Sequence, residues 1–147
     1  MKAYIAAAYD QRFELRPIVT RLEEAGLIIT SRWIWKEIPY TNDDETMKKA
    51  AVEDLYDLWL ADILIIDTTV PSTTGGKYVE LGYALATKDT ILGVGQRTNP
   101  FTYLFSKWYP SWKELIAEAE SVEGLRLPVE KSPSLSRRVS PMLADRA

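Results

Sequence analysis

The stretch Ile63-Leu64-Ile65-Ile66-Asp67-Thr68-Thr69-Val70-Pro71-Ser72-Thr73-Thr74-Gly75-Gly76 decides the fold. It opens with four apolar residues in a row, which reads as a short strand buried on both faces. Such a strand belongs in the middle of a parallel sheet, where the connections are helices. A loop follows, marked by Pro71 and a cluster of Ser and Thr. Gly75-Gly76 then opens a helix predicted to run to about Lys88, and residues 90–94 read as the next strand.

The same alternation extends in both directions. Residues 2–8 are an apolar strand, and residues 12–24 place Phe13, Leu15, Ile18, Val19 and Leu22 at helical spacing, closed by Gly26. Residues 27–35 are rich in β-branched and aromatic side chains and predict a second strand, with a polar loop over 36–43. A second helix starts near Asp44, with Met47, Ala51, Leu55, Leu58 and Trp59 expected to face the sheet. After Asn99 and Pro100, a short fifth strand is expected within 105–109, then a helix from about Ser111, its candidate N-cap, to Ser121. Repeated strand–helix alternation implies right-handed crossovers, hence an α/β, flavodoxin-like, doubly wound parallel sheet of five strands in the order 2-1-3-4-5. This domain is expected to span residues 1–121. Residues 122–147, with Pro128, Pro133, Pro141 and Arg137-Arg138, lack core periodicity and are expected to form a mobile or partner-packed tail.

Composition narrows the chemistry. A chain of 147 residues fits one domain. It has no cysteine, which excludes disulfides and thiolate chemistry, and no histidine, which excludes a Ser-His-Asp triad, a Cys-His pair and a histidine zinc site. Proton transfer then falls to Asp, Glu, Tyr or Lys. A net charge of −3 gives no broad basic face for nucleic acid. No apolar run approaches the roughly 20 residues of a bilayer span, and the apolar stretch before Asp10 is too short for a signal peptide. The expectation is a cytoplasmic protein whose partner is a small molecule.

In an open parallel sheet, ligands bind outside the carboxyl ends of the strands, where the strand order reverses. That rim comprises residues 8–12, 33–40, 67–76 and 95–99. Gly75-Gly76 at a helix N-terminus suits a phosphate or carboxylate, with Ser72, Thr73 and Thr74 adding hydroxyls, although a tight turn needs glycine for steric reasons alone. Glu80 lies about one turn inside this helix, on the face of Gly76, Tyr83 and Ala84; by spacing alone it reads first as a carboxylate that complements the helix dipole, and a reactive carboxylate is the other reading. Gly82, which costs roughly 1 kcal/mol relative to alanine, points to a close approach. Asp54 falls within the stripe meant for the sheet and needs either a backbone partner or a catalytic task, whereas Glu53 and Asp57 are expected on the solvated side. Trp33 and Trp35 share one side of the expected second strand and read as core or interface. Asp67, at a strand end, fits the phospho-acceptor of a signalling domain as a separate reading.

The run Gly76-Lys77-Tyr78-Val79-Glu80-Leu81-Gly82-Tyr83-Ala84 resembles the nucleoside 2-deoxyribosyltransferases and the related deoxynucleotide N-hydrolases, and the resemblance extends from residue 2 to about residue 120. It implies that Glu80 is a nucleophile attacking the anomeric carbon of a 2-deoxyribosyl substrate to give a covalent ester. Asp54, eight positions before Asp62, would assist the leaving base; Tyr4 would hold the nucleophile, and Tyr9 would line the base pocket. Water or a second base then resolves the ester, so the resemblance implies a reaction without metal, other cofactor or histidine. Thr74 stands where the monophosphate hydrolases have a phosphate-contacting hydroxyl, which together with Gly75 and Gly76 favours a nucleotide. Arg12 falls two positions later than the arginine register of those hydrolases, a place from which it could still reach the phosphate, and the first loop lacks their Gly-Ser. Asn99 falls where the transferases supply a residue across a subunit interface, and a plain Asn-Pro turn fits it too. The resemblance implies a homodimer or higher homo-oligomer and leaves transferase against hydrolase open. The alternative is a non-catalytic nucleotide-binding or sequestering module on the same fold.

Overall fold

The computed structural model describes residues 1–37 and 43–128. Five parallel strands form one sheet in the order β2-β1-β3-β4-β5, as the alternation predicts. These are β1 (Lys2–Ala6), β2 (Ile28–Ile29), β3 (Ile63–Thr68), β4 (Thr90–Gly95) and β5 (Lys107–Tyr109). The helices are α1 (Arg12–Glu24), α2 (Asp44–Leu60), α3 (Gly76–Thr87) and α4 (Trp112–Ala119). Helix α1 packs on α4 and α2 on α3. β3 pairs with β1 from Ala3↔Ile63 to Ala6↔Ile66 and with β4 from Ile63↔Thr90 to Thr68↔Gly95, so every one of its residues is buried.

Local chemistry sets the helix ends. Asp43 Oδ2 accepts from the Thr46 amide at 3.0 Å and starts α2, while Ser111 Oγ accepts from the Lys113 amide at 3.2 Å and starts α4. Gly75, the N-cap of α3, has φ of 74°, a left-handed conformation that side chains disfavour. Two short 3-10 turns, Tyr9–Gln11 and Pro100–Leu104, have no counterpart in the expected elements.

Two expectations are corrected. The second strand is only Ile28–Ile29, and Arg32–Trp35 is a 3-10 turn instead of its continuation. Side chains replace the ladder here: Ser31 Oγ accepts from the Ile5 amide at 2.5 Å, and Trp33 Nε1 donates to the Ile5 carbonyl at 3.0 Å. The period of two is thereby lost, so Trp33 is buried while Trp35 is half exposed. The polar loop expected over 36–43 lies mostly outside the described residues.

The second correction concerns α2. Its inward face is Ala50, Asp57 and Leu58 with Asp54 partly buried, a stripe rotated by roughly a quarter turn from the expected one. Met47, Ala51, Leu55 and Trp59 are exposed. Asp57 is buried rather than solvated, because Arg32 donates to both its carboxylate oxygens at 2.7–3.0 Å. The stretch expected to be a tail is described only to Pro128, and its Leu125 and Leu127 pack against the chain's own core.

Candidate active site

A cleft of about 540 Å³ opens at the carboxyl ends of β1 and β3. Its walls are Ala8–Gln11 from the turn after β1, Met47, Ala50, Ala51 and Asp54 from α2, and Val70–Thr74 with Gly76 before α3. This is the point where the strand order reverses, between β1 and β3.

Near it, β1 and α3 bring Tyr4 and Glu80 together: the Tyr4 hydroxyl donates to Glu80 Oε1 at 2.6 Å. Tyr4 is fully buried and Glu80 partly so. Burial pushes the Glu80 carboxyl up to about 8; the Tyr4 hydrogen bond opposes this, and the charge of Asp54 adds to it. Burial, then the Glu80 and Asp54 carboxylates, hold the Tyr4 hydroxyl protonated far above its ordinary range, so it remains a donor. Asp54 is pushed up to about 6, chiefly by burial, with Lys36 pulling in the other direction. Among the described residues Asp54 Oδ1 is buried without a hydrogen-bond partner. An unsatisfied buried oxygen lining a cleft is a position for a ligand donor or for a proton. The structural hydrogen bond considered for Asp54 is therefore not made through this atom.

Tyr9 stands in the cleft wall, braced from two sides. Its ring centroid lies 6.1 Å from that of Trp33, and the Arg12 guanidinium sits 4.3 Å from it. Arg12 itself is buried: Nε donates to the Lys36 carbonyl at 3.0 Å and Nη1 to the Tyr9 carbonyl at 3.3 Å. Arg12 thus packs on the Tyr9 ring and is not among the residues lining the cleft. Thr74 is exposed at the cleft, beside Gly75 and Gly76. Ser72 Oγ accepts the Gly75 amide at 3.0 Å, which holds this turn.

Asn99 lies apart from these residues. It lines a second cavity of about 430 Å³ with Tyr78, Leu81 and Leu85, on the flank of α3 toward the Pro100–Leu104 turn. Its Oδ1 accepts from the Phe101 amide at 3.0 Å, so within one chain it acts as the cap of that turn.

Asp67 is 1 % exposed, and its carboxylate accepts from Trp112 Nε1 at 2.6 Å, Thr69 N at 2.7 Å, Thr69 Oγ1 at 2.5 Å and Gln11 Nε2 at 3.3 Å. Saturated and buried, it has no face open to a phosphoryl donor, which overturns the phospho-acceptor reading. Its work is to tie both cleft loops together, since Gln11 Oε1 also accepts the Ala8 amide at 3.0 Å. Lys77, buried beside it, donates to the carbonyls of Asp67 at 3.0 Å and Val70 at 2.6 Å. Gln11 and Lys77 have no local sequence signal for this role, because their partners lie 56 and 10 residues away.

Fold and site together define a flavodoxin-like α/β protein with two interacting carboxylates at the topological switch point. No family model matches the chain, and no curated protein matches its sequence. Solved structures share its fold. A 2-deoxyribosyltransferase from Bacillus psychrosaccharolyticus matches with a TM-score of 0.67 and 16 % identity, over 88 % of this chain and all of that one. A conserved protein from Enterococcus faecalis V583 matches with a TM-score of 0.62 and 15 % identity, over 82 % of this chain and 97 % of that one. A CMP N-glycosidase from Clostridium botulinum matches with a TM-score of 0.52 and 18 % identity, over 80 % of this chain and 96 % of that one. The resemblance read from the sequence and the likeness in fold point the same way. At these identities the likeness is one of fold.

Proposed function

We propose that this chain cleaves or transfers the N-glycosidic bond of 2-deoxynucleosides or their 5-monophosphates through a covalent 2-deoxyribosyl ester on Glu80. The observation that carries the reading is the Tyr4–Glu80 hydrogen bond at 2.6 Å, whose carboxylate feels the charge of Asp54, a cleft-lining residue with an unpartnered buried oxygen. In the reaction, a Glu80 oxygen bonds to the anomeric carbon as the bond from that carbon to the base nitrogen breaks. The electron pair leaves on the base, which takes a proton or hydrogen bond from Asp54. Water, or the nitrogen of a second base, then displaces Glu80 and restores the carboxylate. Tyr4 orients the carboxylate and stabilises it as its charge returns.

Tyr9, braced by Trp33 and Arg12, offers a flat wall for a base. A 5-phosphate would meet the Thr74 hydroxyl and the start of α3 at Gly76, where amides and helix dipole favour an anion. Arg12 takes no direct part in that anion site, given its carbonyl partners. The active form is a homo-oligomer, in which Asn99 would reach a neighbour's site.

The test is incubation with each deoxynucleoside and deoxynucleotide, with and without an acceptor base, following released base and exchanged product by chromatography. Exchange without net hydrolysis identifies a transferase, and release from monophosphates alone a hydrolase. Binding without turnover would refute the enzyme and leave the sequestering module.

A further inference from the structure

Among the described residues no basic side chain lines the cleft; its charged walls are Asp10 and Asp54. The cations that act on Asp54 stand behind that wall, on the segment from the Arg32–Trp35 turn to Lys36, and this turn packs on both α1 and α2. Two ion pairs fasten the segment to α2. Arg32 Nη2 meets Asp57 Oδ1 at 2.7 Å, and Lys36 Nζ meets Glu53 Oε2 at 3.3 Å. The pairs run in opposite chain directions, 32 with 57 and 36 with 53, so Asp54 lies between them on the helix.

The main chain of Lys36 is fixed as well. Its carbonyl accepts from Arg12 Nε at 3.0 Å and Arg16 Nη2 at 3.3 Å, and its amide donates to the Trp33 carbonyl at 3.2 Å. A loop lysine that served only an ion pair worth about 0–1 kcal/mol would have no need of two arginines on one carbonyl. The charge also reaches Asp54 without occupying it, because Asp54 Oδ1 has no hydrogen-bond partner among the described residues. That oxygen is left for the substrate.

We propose that Lys36 is a positioning residue for the reaction: held by Arg12 and Arg16, it presents its ammonium beside Asp54 and keeps that carboxyl acidic enough to give its proton to the leaving base. The groups that face Asp54 are Glu53 and Asp57 on its own helix, Lys36 and Arg32 on the segment behind, and Glu80 and Tyr4 from α3 and β1, with Asp10 in the same cleft. Burial holds the Asp54 proton most strongly; Lys36 opposes burial, and Asp57 and Glu53 act with it. Arg32 acts least, its guanidinium bound to both oxygens of Asp57. Loss of the Lys36 charge therefore leaves Asp54 protonated to higher pH and a weaker acid. The proposal rests on the N-glycosidic reading for the leaving base, but the effect on Asp54 is measured without substrate, so the two fail separately.

The Asp54 carboxyl is titrated by carbon-13 NMR in the full chain, its resonance assigned with Asp54→Asn. In Lys36→Met and Lys36→Gln, with far-UV circular dichroism unchanged, its midpoint should move up by roughly half to one pH unit at low salt, and Lys36→Arg should restore it. In turnover assays the low-pH limb of kcat/KM should move up equally while the high-pH limb stays. Titration of Asp54 in Lys36→Met and Lys36→Gln as in wild type would overturn the proposal. So would a shift that Lys36→Arg shares in full, which would make Lys36 a structural tie. A wild type without turnover would refute the N-glycosidic reading and with it the role toward a leaving base, even where the midpoint shifts as expected.

Discussion

Glu80→Gln should abolish turnover and at the same time stabilise the protein, by an amount that grows with pH. In the folded chain burial holds the Glu80 carboxyl near 8, against an ordinary value of 4.5. Between those values the unfolded chain has released the proton that the folded chain keeps, so stability falls as pH rises, and the loss is complete above about pH 8. At 1.36 kcal/mol per pH unit the limit is about 5 kcal/mol; partial solvent access reduces this to roughly 2–3 kcal/mol. Glutamine retains an oxygen to accept from Tyr4 and carries no charge to desolvate. The raised value of Asp54 acts with the same sign in both proteins and largely cancels in the difference. Thermal unfolding should therefore coincide for wild type and variant at pH 4.5. At pH 9 the variant should melt roughly 5–10 °C higher, at 2–4 °C per kcal/mol for a chain of this size. Equal melting temperatures at pH 9, or a gap independent of pH, would refute the assignment of a strained buried carboxylate to Glu80.

The nucleophile must be ionised and the acid protonated, so with Glu80 near 8 and Asp54 near 6 kcat/KM should rise with pH to about 6, peak near 7 and fall above about 8. Asp54→Asn should remove the alkaline limb and slow poor leaving bases most; an unchanged bell in initial-rate assays would exclude Asp54 as the acid. Thr74→Ala should raise KM for a monophosphate by roughly 10–100-fold and leave the nucleoside unaffected, the loss of one hydrogen bond to a charged group; equal effects on both would place the phosphate elsewhere. Arg12→Met should destabilise the fold by about 1–3 kcal/mol in denaturant titration and raise KM equally for nucleoside and monophosphate, since Arg12 braces Tyr9. A loss confined to the monophosphate would return Arg12 to the anion site.

How much was legible before folding can be read from particular elements. The boundaries of α1 match their expected residues, because Gly26 and a clean apolar spacing are local signals. The run at Ile63 identifies the central strand, since a strand buried on both faces has no polar alternation to show. Glu80 and Asp54 were visible as anomalies of pattern, a carboxylate at the rim and another in an inward stripe. What the chain's own periodicity could not supply was which surface each stripe meets. The apolar stripe of α2 has the spacing of a buried face yet points largely to solvent, because apolar spacing along a helix shows that one side wants cover and not what covers it. In the same way strand two ended early, since Ser31 and Trp33 make through side chains the bonds a ladder would have made through backbone.

The sequence by itself determined the order of strands and helices, the class of sheet, and the exclusion of histidine and cysteine chemistry, all of which follow from local periodicity and composition. Only the tertiary structure decided that Tyr4 and Glu80, 76 residues apart, share a hydrogen bond, that Asp67 is a buried tie between loops, and that Arg12 is buried against the carbonyls of Lys36 and Tyr9. These are contacts between distant segments, and their strength comes from removing polar groups from water in one particular arrangement, which no window of sequence contains.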